Sequence, residues 1–150
     1  MNKLNWWPLA NSLVEFLKNH KDELGAPSFD GVFIYAGSKI TGKVYPCIEV
    51  TFDAESNPTG KRGLVNLWVD VCLKNNNSNP SEAYELMFKY QTEIMNLIFN
   101  YDDGWPVAIK KDLGIATDIK ISNVISDGDS QRPVCQCRMV LEIDWRGKTI

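Results

Sequence analysis

The sequence predicts an α+β fold, with two amphipathic helices packed on a mostly antiparallel β-sheet in the order helix, strands, helix, strands. Three observations predict it. Apolar residues recur at helical spacing in two separate stretches, Leu9 to Leu24 and Ala83 to Tyr101. Apolar and polar residues alternate in others, most cleanly from Leu64 to Leu73. These alternating stretches come in neighbouring pairs, which favours hairpins over the long crossovers of a parallel sheet.

The first helix is expected from about Pro8 to Leu24. Leu9, Leu13, Phe16, Leu17, His20 and Leu24 form one face. Pro8 suits a first turn, and Gly25 followed by Pro27 is a stop signal. Gly31 to Gly37 reads as a short strand between glycines. From Val44 to Phe52, Ile48, Val50 and Phe52 share a face, while Tyr45, Cys47, Glu49 and Thr51 take the other. Pro46 lacks an amide donor, so this strand lies at a sheet edge or starts near Pro46. Asp53 to Gly63 reads as a loop of about ten residues, longer than a tight hairpin needs.

In the next strand Val65, Leu67, Val69, Val71 and Leu73 form an apolar face, opposite Asn66, Trp68, Asp70 and Cys72. A polar turn from Asn75 to Asn79 leads to the second helix, expected from Pro80 to Tyr101, with Asn79 as its cap. Its stripe is Ala83, Met87, Tyr90, Ile94, Leu97, Ile98 and Tyr101. Trp105 to Gly114 is irregular. Ile115, Thr117, Ile119 and Ile121 alternate as a strand, and Ser126 to Pro133 is a polar turn. Met139, Leu141, Ile143 and Trp145 then mark a last strand with one wet face. Arg146 to Ile150 is expected to fray.

The 150 residues favour one domain over 1–150, large enough for a core of its own. A formal net charge of -3 gives no blanket attraction to nucleic acid and weighs against a dedicated DNA-binding module. No apolar stretch approaches the length of a membrane span, and the first residues lack the apolar core of a signal peptide. A soluble protein made in a cytoplasm, with no membrane partner, is the expectation.

No catalytic residue, cofactor site or metal site is expected, and the chain does not read as an enzyme. His20 is the only histidine, and it falls on an apolar helix face, so a nucleophile–histidine pair has no free base. Asp102-Asp103 reads as a solvated helix end. Asp127-Gly128-Asp129 resembles the opening of a calcium loop, but the closing glutamate position falls on Arg138. The glycines from Gly31 to Gly42 match no phosphate-binding pattern. Cys47, Cys72, Cys135 and Cys137 contain no C-x-x-C pair, and they read as reduced packing residues.

Three features point to contacts instead. Lys61 and Arg62 lie in the glycine-flanked loop, either as a solvated tip or as a positioning contact with an acidic partner surface or passing DNA. Trp6 and Trp7 either staple the first helix to the sheet or meet another subunit. Trp68, between Asn66 and Asp70, is either an interface residue or part of a second small core under a loop. Trp145 shares its face with Leu141 and Ile143 and belongs to the core.

With these elements in place, the chain resembles the tail terminator (tail completion) proteins of tailed phages and prophages. The resemblance lies in an opening helix, Tyr45-Pro-Cys-Ile-Glu-Val50, Leu67-Trp-Val-Asp-Val-Cys-Leu-Lys74 and a long helix from Pro80. It continues through Ile121-Ser-Asn-Val-Ile-Ser-Asp-Gly128 and Arg138-Met-Val-Leu-Glu-Ile-Asp-Trp-Arg146. The resemblance implies a structural virion protein, assembled in a host bacterial cytoplasm. Such proteins form a ring, commonly a hexamer, that caps the head-proximal end of the tail tube, ends its polymerisation and joins the tail to the neck or head. The implied partners are other copies of the chain, the tail tube protein and a neck or head-completion protein, with DNA only as passing cargo. Lys61 and Arg62 then become candidate tube contacts, and Trp6, Trp7 and Trp68 candidate subunit contacts. Two other readings stay open: a head–tail connector of the same virion region, and a small ligand-binding or enzymatic α+β domain. The last would need a pocket lined by Asp102, Asp127 or His20.

Overall fold

The computed structural model describes residues 3–20, 31–34, 45–57, 59–74, 79–99, 104–105, 114–128 and 133–147. The expected helix ends at Leu24 and Tyr101, the stretch to Gly42, the turn at 75–78, Asp102, Asp103, Asp129 and the last three residues lie outside these.

Helix α1 spans Trp7–Asn19. The Asn5 side chain accepts the Trp7 amide at 3.2 Å, and Pro8 occupies the first turn, where no amide hydrogen is needed. The helix buries Leu9, Ala10, Leu13, Val14, Phe16 and Leu17. His20 closes it: its Nδ1–H donates to the Phe16 carbonyl at 2.8 Å, and its ring packs on the Phe16 ring. Because a carbonyl can only accept, this bond places the proton on Nδ1.

Among the described residues, five strands follow in one sheet: β1 (Gly31–Ile34), β2 (Cys47–Glu55), β3 (Arg62–Lys74), β4 (Gly114–Ser126) and β5 (Val134–Gly147), with α2 (Ser81–Ile98) between β3 and β4. The spatial order is β1-β2-β3-β5-β4. Strand β1 runs parallel to β2, and the other pairings are antiparallel. The two expected hairpins, β2–β3 and β4–β5, are therefore present. They join through β3 and β5, so the last strand, which is also the longest of those described, lies between β3 and β4. Asn79 accepts the Ser81 amide at 3.1 Å and caps α2, as its position before Pro80 suggests.

One face of the sheet carries the core. Val65, Leu67, Val69 and Val71 of β3 pair with Ile143, Leu141, Met139 and Cys137 of β5, and all are buried. Ile48 and Val50 extend the face onto β2, while Met87, Tyr90, Ile94 and Ile98 cover it from α2. Fully burying side chains of this size is worth roughly 1.5–3 kcal/mol each. Trp145 is buried at the end of β5, as its alternation predicts, and its indole N–H donates to the Asn5 carbonyl at 3.0 Å. Gly114, at φ +149°, lies so close that a Cβ there would meet the Trp145 ring at 2.5 Å.

Three expectations need correction, and the two options for Pro46 are resolved. The loop after β2 is shorter than Asp53–Gly63: β2 continues to Glu55 and β3 begins at Arg62. A bulge at Asp53, where Phe52 pairs with Leu67 but Ala54 with Asn66, lets the strand continue without losing its pairing. Pro46 does not mark an edge strand. Strand β2 is flanked on both sides and starts one residue after Pro46, which satisfies the second option for that proline. The alternation of Ile115, Thr117, Ile119 and Ile121 is broken by another bulge. Ala116 pairs with Trp145 and Ile121 with Leu141, so five steps on β4 match four on β5, with Asp118 at φ 49° between them. Ile115 and Thr117 are consequently exposed, whereas Ala116, Ile119 and Ile121 pack against the core. Finally, the polar face of β2 and β3 is wet only in part. Cys47, Glu49, Thr51, Asp70 and Cys72 on that face are all buried.

Candidate functional site

The second face of the sheet is built around Asp70. Register places Asp70 between Glu49 on β2 and Arg138 on β5. The Arg138 guanidinium donates through Nε and Nη2 to the two Asp70 oxygens at 2.9 and 3.0 Å, and the Gln136 amide adds a third bond at 2.9 Å. The hydrogen bond to Asp70 holds the Arg138 pKa above its ordinary value, against the opposing effect of burial. The same guanidinium lies 3.6 Å from the centre of the Trp68 ring. One arginine therefore neutralises a buried carboxylate and covers an aromatic face. Trp68 is half-buried beneath it.

The other tryptophans separate. Trp6 stacks on Phe52 of β2, with ring centres 4.1 Å apart and planes 11° from parallel, so it ties the start of α1 to the sheet. Trp7 meets Trp6 edge-on and remains 53% exposed. Phe52 pairs with Leu67 on the core side, whereas Trp68 is on the opposite face, so Trp6, Trp7 and Trp68 do not form one patch.

Lys61 is exposed in the loop, but Arg62 is already part of β3. Arg62 is bound to Asp144 on β5, with Nε 3.0 Å and Nη2 2.6 Å from the carboxylate oxygens. This hydrogen bond raises the Arg62 pKa and lowers that of Asp144. Lys3 and Glu55 form a further ion pair, and Lys120 lies 3.7 Å from Glu142.

Further exposed apolar groups lie elsewhere. On the outer face of α2, Phe88 is 69% exposed beside Leu86, among Glu82, Glu85 and Glu93. On β4, the strand at one sheet edge, Ile115, Val124 and Ile125 are exposed. A shallow groove of about 440 Å³ lies between Tyr45, Pro46, Leu73, Ala83, Leu86 and Tyr90. Neither this groove nor the α2 surface is lined by His20 or Asp127. His20 is engaged with Phe16. Asp127 accepts the Tyr84 hydroxyl and the Gln136 backbone N–H, so it ties the end of β4 to α2 and β5. Among the described residues no helix is long and apolar enough to cross a membrane.

Sequence reasoning missed two participants. Trp105 is fully buried, and its indole N–H donates to Ser12 Oγ at 3.0 Å. Only its composition hinted at this, since a buried tryptophan needs one acceptor. The Asp70–Arg138 pair was hidden by 68 residues of separation and becomes visible only when β3 and β5 are aligned.

Among the described residues, the fold and surface thus define an α+β protein in which buried Asp70 is paired with Arg138 and exposed apolar groups include Phe88 on α2, Ile115, Val124 and Ile125 on β4, Leu64 on β3 and Trp7. No protein-family model matches the sequence, and no curated protein matches it. Among solved structures, a chain in the virion of a native gene transfer agent particle is similar with a TM-score of 0.57, at 9% sequence identity. The match covers 93% of this chain and 95% of that one, so the likeness is one of the whole fold.

Proposed function

We propose that this chain is a non-enzymatic structural protein of a phage virion. It forms a ring on the head-proximal end of a tail tube, ends tube growth and joins the tail to the neck. The observation that carries the reading is the end-to-end fold likeness to a virion chain, with no large insertion on either side. The tail-terminator resemblance of the sequence supplies the finer role. The surface supports it, because a ring subunit needs contact area on more than one side. Trp7 and the β4 edge, with Ile115, Val124 and Ile125, provide subunit contacts in this reading. Trp6 and Trp68 hold the subunit itself together, and Lys61 at the β2–β3 loop faces the tube. A formal charge of -3 is compatible with a lumen through which DNA slides.

Native mass spectrometry with and without purified tail tubes, followed by electron microscopy, tests the reading. Rings at one end of the tubes are the expected result, and Trp7→Ala is expected to weaken them without changing the fold. A chain that stays monomeric with tubes present contradicts the proposal. Rings that bind the neck complex but not tubes would favour the head–tail connector role.

A further inference from the structure

The buried part of the second sheet face carries a group of side chains that the assembly role does not use. Cys47 on β2 lies directly opposite Cys72 on β3, and Glu49 follows Cys47 by two residues on the same face. The two Sγ atoms and a Glu49 carboxylate oxygen all lie within 4.8 Å of one another. Both cysteines are fully buried, and Glu49 is 8% exposed. Register builds this trio. Directly opposed residues hold their Cβ atoms about 4.5–5.5 Å apart, and residues two apart on a strand share a side. On the core face, Ile48 opposite Val71 and Val50 opposite Val69 lock that register from beneath.

We propose that Cys47, Cys72 and Glu49 bind one thiophilic divalent cation of the zinc type. A tetrahedral zinc holds sulfur at about 2.3 Å and carboxylate oxygen at about 2.0–2.2 Å, so its ligand atoms lie roughly 3.4–3.8 Å apart. Binding draws the trio in from within 4.8 Å to that spacing. Two thiolates and one carboxylate select against magnesium and calcium, which take oxygen ligands. Water fills the fourth position. Each thiol loses its proton to solvent on binding, so uptake strengthens as pH rises. The cation joins β2 to β3 at the strand end beside Pro46. Spacing-based reading misses such a site, because its ligands come from two paired strands rather than one knuckle. Cys135 and Cys137 cannot join it: they are on the core face, where the Gln91 amide donates to Cys137 Sγ. The inference stands apart from the virion reading.

The test is a titration of the full chain, reduced and treated with chelator, first with Co²⁺ and then with Zn²⁺. One equivalent of Co²⁺ is expected to produce a thiolate-to-cobalt charge-transfer band that Zn²⁺ displaces. The band is expected to vanish in Cys47→Ser and Cys72→Ser and to persist in Cys137→Ser. Glu49→Gln is expected to weaken zinc binding by at least the roughly 10–100-fold that losing an outer-shell partner costs. X-ray absorption of the zinc-loaded wild type needs no variant: two sulfur and two oxygen neighbours are expected. The proposal is overturned by the absence of a band, by a band that depends on Cys137, or by any other sulfur count. A Cys47–Cys72 disulfide in a protein whose reduced form takes up no cation overturns it as well.

Discussion

The two faces of this sheet are held by different physics. The face under α1 and α2 is a continuous apolar layer in which Leu67, Leu141, Val69 and Met139 interlock across β3 and β5. The opposite face buries Asp70 and Glu49 near the same strand centres, and there Arg138 spans from the Asp70 carboxylate to the Trp68 ring. Apolar packing is non-directional and tolerates small shifts. A buried ion pair is directional, and it costs most when one partner is removed. Strands β3 and β5 are therefore fixed twice, once by apolar volume and once by the directional Asp70–Arg138 pair.

Truncations on each face would separate the two effects. Leu67→Ala on the covered face is expected to cost about 3–5 kcal/mol, because its site is enclosed and can collapse only in part. Urea unfolding measures this, with the slope unchanged if the folded state keeps its form. On the other face Arg138→Ala is expected to cost about 2–3 kcal/mol. It leaves a carboxylate that is 3% exposed with only the Gln136 bond among those described, while the arginine itself gives up partly solvated contacts. Arg138→Lys should recover only part of the loss, since lysine provides neither the two-pronged bond nor the flat stack. A lysine variant as stable as the wild type would mean that the two-pronged geometry of Arg138 contributes nothing.

These faces differ in how far the sequence reveals them. Strict alternation in β3 and β5 identifies the covered face residue by residue, and helical spacing identifies most of the α1 and α2 stripes that close it. The second face is not legible in this way. Asp70 and Cys72 have the look of a solvated face, because partners on β2 and β5 lie far away in sequence. Bulges hide more: the extra residues at Asp53 and near Asp118 shift which side chains face inward, and no local pattern marks them. The contact candidates were partly legible. Sequence points to Trp6 and Trp7 as a pair, and the structure separates a stapling ring from an exposed one. Phe88 stands outside the helical stripe, yet a single exposed phenylalanine is ordinary and gives no warning.

The smallest expected effect lies at the open end of β3 and β5. Arg62 lowers the Asp144 pKa from 3.8, so this pair stabilises the fold above that pH and loses its effect as pH falls through the lowered value. The exposed arginine makes the effect slight. Unfolding midpoints of wild type and Arg62→Ala are expected to differ slightly at neutral pH and to converge once acidification has passed through the lowered Asp144 pKa. A gap that widened on acidification would mean that Asp144 is not the group being held.

In the proposed role, the exposed β4 edge, the outer face of α2 and Trp7 are the surfaces used for assembly. Tail-tube growth in the presence of the purified chain tests it most directly, with tube length and end structure read by electron microscopy. The account predicts that growth stops and that one end of each tube carries a ring of this protein. Tubes that keep lengthening with bare ends, at protein concentrations above that of the tube ends, would contradict it.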